Sequence, residues 1–395
     1  KRNKAQRFIE INQNELKALD HDFSHFEDGS QFIDPNHHFT YDLDIFGKGS
    51  LFQFLNRTVL QPGRLKLAKL LSEPLLAVEE INKAGGVLGK PIEIVYGDDK
   101  GDSKEAVSVA QKFASDKNIV GIVGHFFSGA TLAAGPIYQQ NQIPTIAVAS
   151  TNPDVADIGD YVYRINVGDN YQGSQLAKLL KEKGYTKATV IYDNSDYGKG
   201  VSDVFTNSFT ELGGEVLLNE SYLGGQDKDF SLILTKVKNS ETEVIVLVSY
   251  YTEASLIIQQ AKNLGIDAPF YASDSLYTDD FLKLAGDAAN GAHVVCYFHE
   301  SDPSEAAQEF VKKFEAKYNK KVDSWSPYAY DAMYVMADAI NRAGTTDGPA
   351  IRDAIAATEG LQGATGVTNF KGAREPVGKD LIILVVENGE YVVEK

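Results

Sequence analysis

The chain has 395 residues with 38 Lys and Arg against 55 Asp and Glu, a net charge of −17, 43% hydrophobic residues, 34 Gly and one Cys. At roughly 100 to 200 residues per domain this length implies two or three domains with real cores, and the ordinary hydrophobic share excludes a disordered chain. The acidic balance, without a Lys/Arg run, argues against nucleic acid as a partner, and no stretch reaches the roughly 18 apolar residues of a membrane helix.

Lys1 to Pro74 holds ten basic and ten acidic residues, four of the seven His, eight of the twenty Phe and four of the 34 Gly. The whole negative surplus therefore lies in Leu75 to Lys395, which marks a boundary. Lys1 to Leu19 reads as a polar helix, Asp20 to Thr40 as an irregular His/Asp/Phe-rich stretch, and Gly49 to Leu71 as helical with a break at Gln61-Pro62-Gly63. The start, Lys1-Arg2-Asn3-Lys4, is not followed by an apolar signal core, so the chain is expected to be soluble as given.

From Leu75 short β-rich runs alternate with helical ones. Helices are expected at Leu75 to Ala84, Ser103 to Ser115, Thr131 to Gln140, Gln172 to Lys183, Val201 to Leu212, Asp229 to Lys238 and Glu253 to Leu264. Strands are expected at Ile92 to Tyr96, Ile119 to Val123, Thr145 to Val148, Ala188 to Tyr192, Glu215 to Tyr222, Val244 to Val248, Phe270 to Ala272 and around Cys296. The repeat predicts an α/β fold of two parallel sheets with helices on both faces. Cys296, the one cysteine, reads as a small hydrophobe on a strand.

In such sheets ligands bind beyond the carboxyl ends of the strands. The loops there are Gly124-His125-Phe126-Phe127-Ser128-Gly129-Ala130-Thr131, Ala149-Ser150-Thr151-Asn152-Pro153, Asp193 to Gly198, Ser249-Tyr250-Tyr251-Thr252-Glu253 and Ser273-Asp274-Ser275. The first two offer hydroxyls and N–H groups suited to an anion; the others offer tyrosines and an acid suited to a cation on an apolar body. Together they describe a site for a zwitterion. Ser128 and Thr151 also read as helix caps, Tyr197, Tyr250 and Tyr251 as interface packing, and Asp274 as a solvated turn acid.

The run Leu76 to Glu93, with Asn82-Lys83-Ala84-Gly85-Gly86 and Leu88-Gly89-Lys90-Pro91, resembles the type I periplasmic binding proteins, the leucine/isoleucine/valine-binding group of ABC importers. Asp98 to Asp102, the loops at Gly124 and Ala149, Tyr192 to Gly200 and Ala285 to Gly291 carry the same resemblance, which covers Leu75 to Lys395. It implies two Rossmann-like lobes joined by three crossing strands, near Arg164 to Gly168, Val295 to Glu300 and Gly366 to Phe370. Lobe one would be residues 75–167 plus 299–367, and lobe two 168–298 plus 368–395. By the resemblance, Ser128 and the Thr151 N–H hold an amino acid's carboxylate, while the Ala149 carbonyl, the Thr151 hydroxyl and Asp274 hold its ammonium. Ser150 lies in the same loop, and Phe126, Phe127, Tyr197, Tyr250 and Trp325 line the side-chain pocket. The implied protein is an extracytoplasmic, monomeric binding protein that closes on a branched-chain or similar apolar amino acid and delivers it to transporter membrane subunits. It is periplasmic or membrane-anchored outside the cell, and it uses no cofactor, metal or bond-breaking step.

One departure stands out. The family's first strand, its Gly/Ser/Thr loop and the first half of its first helix do not precede Leu75. Tyr41 to Thr58 and Pro62 to Pro74 instead resemble the start of the helical core of the MutS mismatch-repair family, so the chain looks like a chimera. The lost strand would sit mid-sheet in lobe one, leaving its neighbours' ladder groups without partners unless a segment such as Tyr41 to Phe46 replaces it.

Other constellations fail. Ala84 to Pro91 has Ala where a P-loop needs its first Gly and Pro91 where it needs Ser or Thr, and Ser128 lacks the upstream Gly of a nucleophile elbow. His21, His25, His37 and His38 have no Cys or catalytic Glu beside them and read as surface residues, His125 as structural, and Asp98, Asp99 and Asp102 as a solvated loop. A sensor ectodomain of the same fold is the alternative reading, and an enzyme or DNA-repair factor is disfavoured by the missing P-loop and the acidic charge.

Overall fold

A computed structural model describes residues 75–394. All of these but Leu75 belong to the second of two units into which the chain divides, Leu76–Lys395. The expectations for residues 1–74, including their helices, the four histidines, a recruited Tyr41–Phe46 strand and the MutS-like motif, lie outside the described residues.

The first half is built on three short parallel strands, β1 (Ile122–Val123), β2 (Thr145–Ala147) and β3 (Val162–Arg164), in that spatial order. The helix Ser103–Ser115 illustrates why the flanking segments coil. The Asp102 side chain accepts from the Lys104 and Glu105 N–H groups, and Ala106, Ala110 and Phe113 form one buried stripe. Helices Leu76–Lys83, Ser128–Gln140, Glu305–Tyr318, Ser326–Ala343 and Gly348–Ala356 also belong to this half.

The second half holds β4 (Lys187–Asp193), β5 (Glu215–Tyr222), β6 (Val244–Val248), β7 (Phe270–Ala272) and β8 (His293–Cys296). After the hairpin β9 (Leu361–Gly363) and β10 (Gly366–Thr368), the chain adds β11 (Ile382–Glu387) and β12 (Glu390–Val393). The seven-stranded order is β12-β11-β8-β7-β6-β4-β5, and the β4 to β8 neighbours run parallel. β6 shows why the sheet is stable: all five residues are buried. Val244, Val246 and Val248 pack with Phe205 and Phe209, while Ile245 and Leu247 pack with Ile257 and Ile258 on the other face. Each such side chain contributes about 1.5–3 kcal/mol.

Two expectations need correction. The second sheet is mixed, because β11 pairs antiparallel with both β8 and β12. Ile92 to Tyr96 forms no strand. The alternation of a strand is present over Ile92 to Val95, since Ile92 and Ile94 pack on the core while Glu93 and Val95 are exposed, and it breaks at Tyr96, which is 59% exposed. What is missing is a ladder partner: among the described residues β1 is paired on one side only, by β2. A strand is a property of a pair, and local pattern cannot supply the pair.

Segments 165–168, 297–304 and 369–381 connect the elements of the two halves. Several helices begin earlier than the apolar periodicity predicts, at Ser128, Asp169, Asp196 and Tyr251, so residues expected in loops stand on first helical turns.

Candidate ligand-binding cleft

The loop after β2 is buried: Ala149, Ser150 and Thr151 are all under a tenth exposed. Ser150 Oγ lies 2.5 Å from Thr131 Oγ1 and within reach of the His125 and Phe126 carbonyls, which ties this loop to the loop after β1. The Asn152 N–H donates to Ser128 Oγ at 3.3 Å. Thr151 Oγ1 is buried and accepts no qualifying hydrogen bond within the protein. Neither Ser128 nor Thr151 is a helix cap: Phe127 precedes the helix Ser128–Gln140 without a side-chain bond, and Asn152 caps the short turn Pro153–Asp157.

The aromatic residues form a circuit. Trp325 meets Phe126 edge-on at 5.5 Å between ring centroids, Phe126 meets Phe127 at 5.0 Å, Phe127 meets Tyr250 at 5.4 Å, and Tyr250 meets Tyr197 at 5.6 Å. The Tyr197 hydroxyl donates to Asp274 Oδ1 at 2.8 Å, and Ser324 Oγ, next to Trp325, donates to the Asp274 carbonyl at 2.9 Å. Phe126 and Phe127 come from the three-stranded half, Tyr197, Tyr250 and Asp274 from the seven-stranded half, so the circuit crosses between them. Asn152 Nδ2 makes a second crossing by donating to the Asp196 carbonyl at 2.6 Å. Tyr251, in contrast, is 39% exposed and takes no part.

Asp274 is 3% exposed, which overturns the reading of a solvated turn acid. Burial pushes its carboxyl up to about 6, against the pull of the Tyr197 hydroxyl and the Gln172 amide. Around it lie groups the sequence reading missed. Asn166, Asp169, Gln172, Tyr297 and Tyr328 all carry buried polar atoms without a qualifying hydrogen bond. Burial first, and then the charge of Asp274, hold Asp169 well above the usual carboxylate range, against the downward pull of the Thr151 hydroxyl and Arg164. Buried polar groups seldom go unpaired, and such a concentration marks a place that receives polar atoms from elsewhere. The signal in the sequence was the spacing of Asp169 and Gln172, one turn apart at the start of a helix.

Other singled-out residues have structural tasks. His125 is 7% exposed, with Nδ1 2.6 Å from Asp99 Oδ2 and Nε2 3.1 Å from the Tyr138 hydroxyl. Asp99 is thus the imidazole's partner rather than a solvated acid, whereas Asp102, which caps its helix, is exposed as expected. Cys296 is buried on β8, where it donates to the Phe298 carbonyl and burial pushes its thiol up to about 12. Among the described residues no His/Cys/Asp/Glu group could hold a metal, and no helix is long and apolar enough to cross a membrane. A cavity of about 130 Å³ lies elsewhere, lined by Tyr277, His299, Glu300, Lys321 and Tyr391, and none of the expected site residues borders it.

Comparison with known proteins agrees with this architecture. A solved leucine-binding protein from Thermotoga maritima superposes with a TM-score of 0.75 and 30% identity, over 81% of this chain and 91% of that one. A branched-chain amino acid transporter substrate-binding protein from Streptococcus pneumoniae, solved with isoleucine, gives 0.75 and 32% over the same shares. A Leu/Ile/Val-binding protein homologue from Brucella abortus is 33% identical over 275 residues, 69% of this chain and 72% of that protein. A leucine-, isoleucine-, valine-, threonine- and alanine-binding protein from Pseudomonas aeruginosa is 32% identical over 286 residues, 72% and 76% of the two chains. These relatives are named as binding proteins, not enzymes. The periplasmic binding protein family profile matches residues 75–390, and the chain belongs to that family, with the type I fold.

Proposed function

We propose that residues 75–394 bind an amino acid with a branched or similar apolar side chain and act as the extracytoplasmic solute-binding component of an ABC importer. The observation that carries the reading is Asp274: a carboxylate buried at the junction of the two halves, with one oxygen held by Tyr197 and its backbone by Ser324. A buried charge of this kind is stabilised by an opposite charge, and an ammonium group supplies it. The Ala149 carbonyl and the Thr151 hydroxyl take the remaining ammonium protons, Ser128 and the Thr151 N–H take the carboxylate, and Ser150 braces the loop. Phe126, Phe127, Tyr197, Tyr250 and Trp325 enclose the side chain. The relatives' names, and the isoleucine in one solved relative, support the branched-chain preference.

In this reading the ligand's ammonium is shared between the two halves, by Ala149 and Thr151 on one side and Asp274 on the other, lobe one being residues 75–167 plus 299–367 and lobe two 168–298 plus 368–395. Binding therefore favours hinge closure, and the closed monomer is what transporter membrane subunits recognise at the outer face of the membrane. Residues 1–74 lie outside the family match, and a separate, MutS-like origin for them rests on their own motifs at Tyr41 to Thr58 and Pro62 to Pro74. The test is thermal unfolding with a panel of L-amino acids. At ~100 times the dissociation constant a ligand adds about 2.7 kcal/mol, several degrees for a domain of this size. A shift with leucine, isoleucine or valine is expected; a cooperative melt that no amino acid moves would refute the reading.

A further inference from the structure

Arg164, the last residue of β3, is 2% exposed. Its Nη1 donates to the carbonyl oxygens of Thr151 at 2.7 Å, Asn152 at 2.8 Å and Ser150 at 3.4 Å, the whole loop that faces the cleft. Its Nε lies 2.7 Å from Glu375 Oε2, in the third connection between the halves. That connection is strapped to β3 twice more: the Arg164 N–H donates to the Arg374 carbonyl at 2.9 Å, and Arg374 Nη1 donates to the Tyr163 hydroxyl at 2.8 Å. Gly168 leaves room for the ion pair, since a Cβ there would lie 2.7 Å from Glu375 Oε2 and 2.8 Å from Arg164 Nη2.

Peptide planarity turns these contacts into an orientation. The Ser150 carbonyl and the Thr151 N–H share one rigid plane and point in opposite directions. A carbonyl drawn onto Arg164 therefore turns the Thr151 N–H away from it. In the next plane the Thr151 carbonyl is held by Arg164 and by the Asp169 N–H at 2.8 Å, and its partner N–H, that of Asn152, reaches Ser128 Oγ. We propose that Arg164 is the positioning residue of the ligand-binding loop, aiming the Thr151 and Asn152 N–H groups, and that Glu375 fixes the guanidinium from the third connection. Lysine cannot replace it, because a single ammonium does not offer a planar fork to three carbonyls and a carboxylate at once. The proposal rests on the amino-acid reading only for its effect on affinity; the loop geometry is independent of it.

The test uses Arg164→Lys and Glu375→Gln in the full chain. Glu375 is 31% exposed at its side chain, so the second variant tests the pair without hollowing the core. Hydrogen exchange of segment 149–153 in unliganded protein should accelerate about tenfold in both variants, while exchange at Val244–Val248 stays unchanged. Titration of leucine against the fluorescence of Trp325, the chain's one tryptophan, should show about tenfold weaker binding in both. Unaltered exchange at 149–153 in both variants, or wild-type leucine affinity in both, would overturn the proposal. If the wild type binds no amino acid but exchange at 149–153 still accelerates, the positioning role stands and the amino-acid reading falls.

Discussion

Asp274 makes the unliganded protein less stable than it would be with a neutral residue, and Asp274→Asn measures by how much. Burial raises its pKa from 3.8 to about 6, and at about 1.4 kcal/mol per pH unit the ionised carboxylate costs the folded state roughly 3 kcal/mol. A raised folded value means that the group's contribution is fully present below pH 3.8 and is lost as pH rises through 6. Asn keeps an acceptor for the Tyr197 hydroxyl and carries no charge. Without ligand, Asp274→Asn should therefore be more stable than the wild type at pH 8 by up to roughly 3 kcal/mol, with the difference shrinking towards zero near pH 4. The same variant should lose its response to ligand, so stability and function move in opposite directions. Chemical denaturation of both proteins between pH 4 and 8 gives the difference directly. A variant no more stable than the wild type at pH 8, or a difference that does not vary with pH, would refute the reasoning.

Ligand affinity should itself depend on pH: only ionised Asp274 attracts an ammonium, so with a value of about 6 the dissociation constant should rise about tenfold between pH 7.5 and 5, and a flat profile would contradict this. Tyr197→Phe removes a hydrogen bond to a charged acceptor that is made without ligand, worth about 1.5–3 kcal/mol, so the unliganded variant should melt several degrees lower at pH 7, and an unchanged Tm would contradict this. Asp331 accepts from the Ala364 N–H, the Thr365 N–H and the Thr365 hydroxyl while 2% exposed, and Asp331→Ala strands those donors. It should cost about 3 kcal/mol and several degrees in Tm without altering the ligand preference; a loss below one degree would count against the packing described here.

How far the sequence could be read followed the range of the forces involved. β6 and β7 lie where their apolar runs predict, because a strand buried on both faces writes its burial into consecutive residues. Ile92 to Tyr96 carries the same local pattern and is no strand, because pairing depends on a chain neighbour that the pattern does not encode. Family motifs located the loops at Phe126 and Ala149, and the structure brings Phe126, Phe127, Tyr197, Tyr250, Asp274 and Trp325 into one circuit. Arg164 was legible only as a crossing residue: an arginine's burial follows from three carbonyls and a glutamate more than 200 residues on, none of them a local signal. Tyr297 and Tyr328 were invisible for the same reason, as aromatic residues on apolar stretches whose hydroxyls reveal their surroundings only once the halves meet.

The central claim is that the cleft binds a zwitterion through Asp274 and the loop after β2. Isothermal titration of leucine and isoleucine into the full chain at pH 6, in two buffers of different ionisation enthalpy, tests it most directly. One-to-one binding with proton release is expected, because an ammonium beside Asp274 lowers a pKa that stands near the working pH, and Asp274→Asn should show neither heat nor proton release. Binding without proton release, or undiminished binding by Asp274→Asn, would contradict the account.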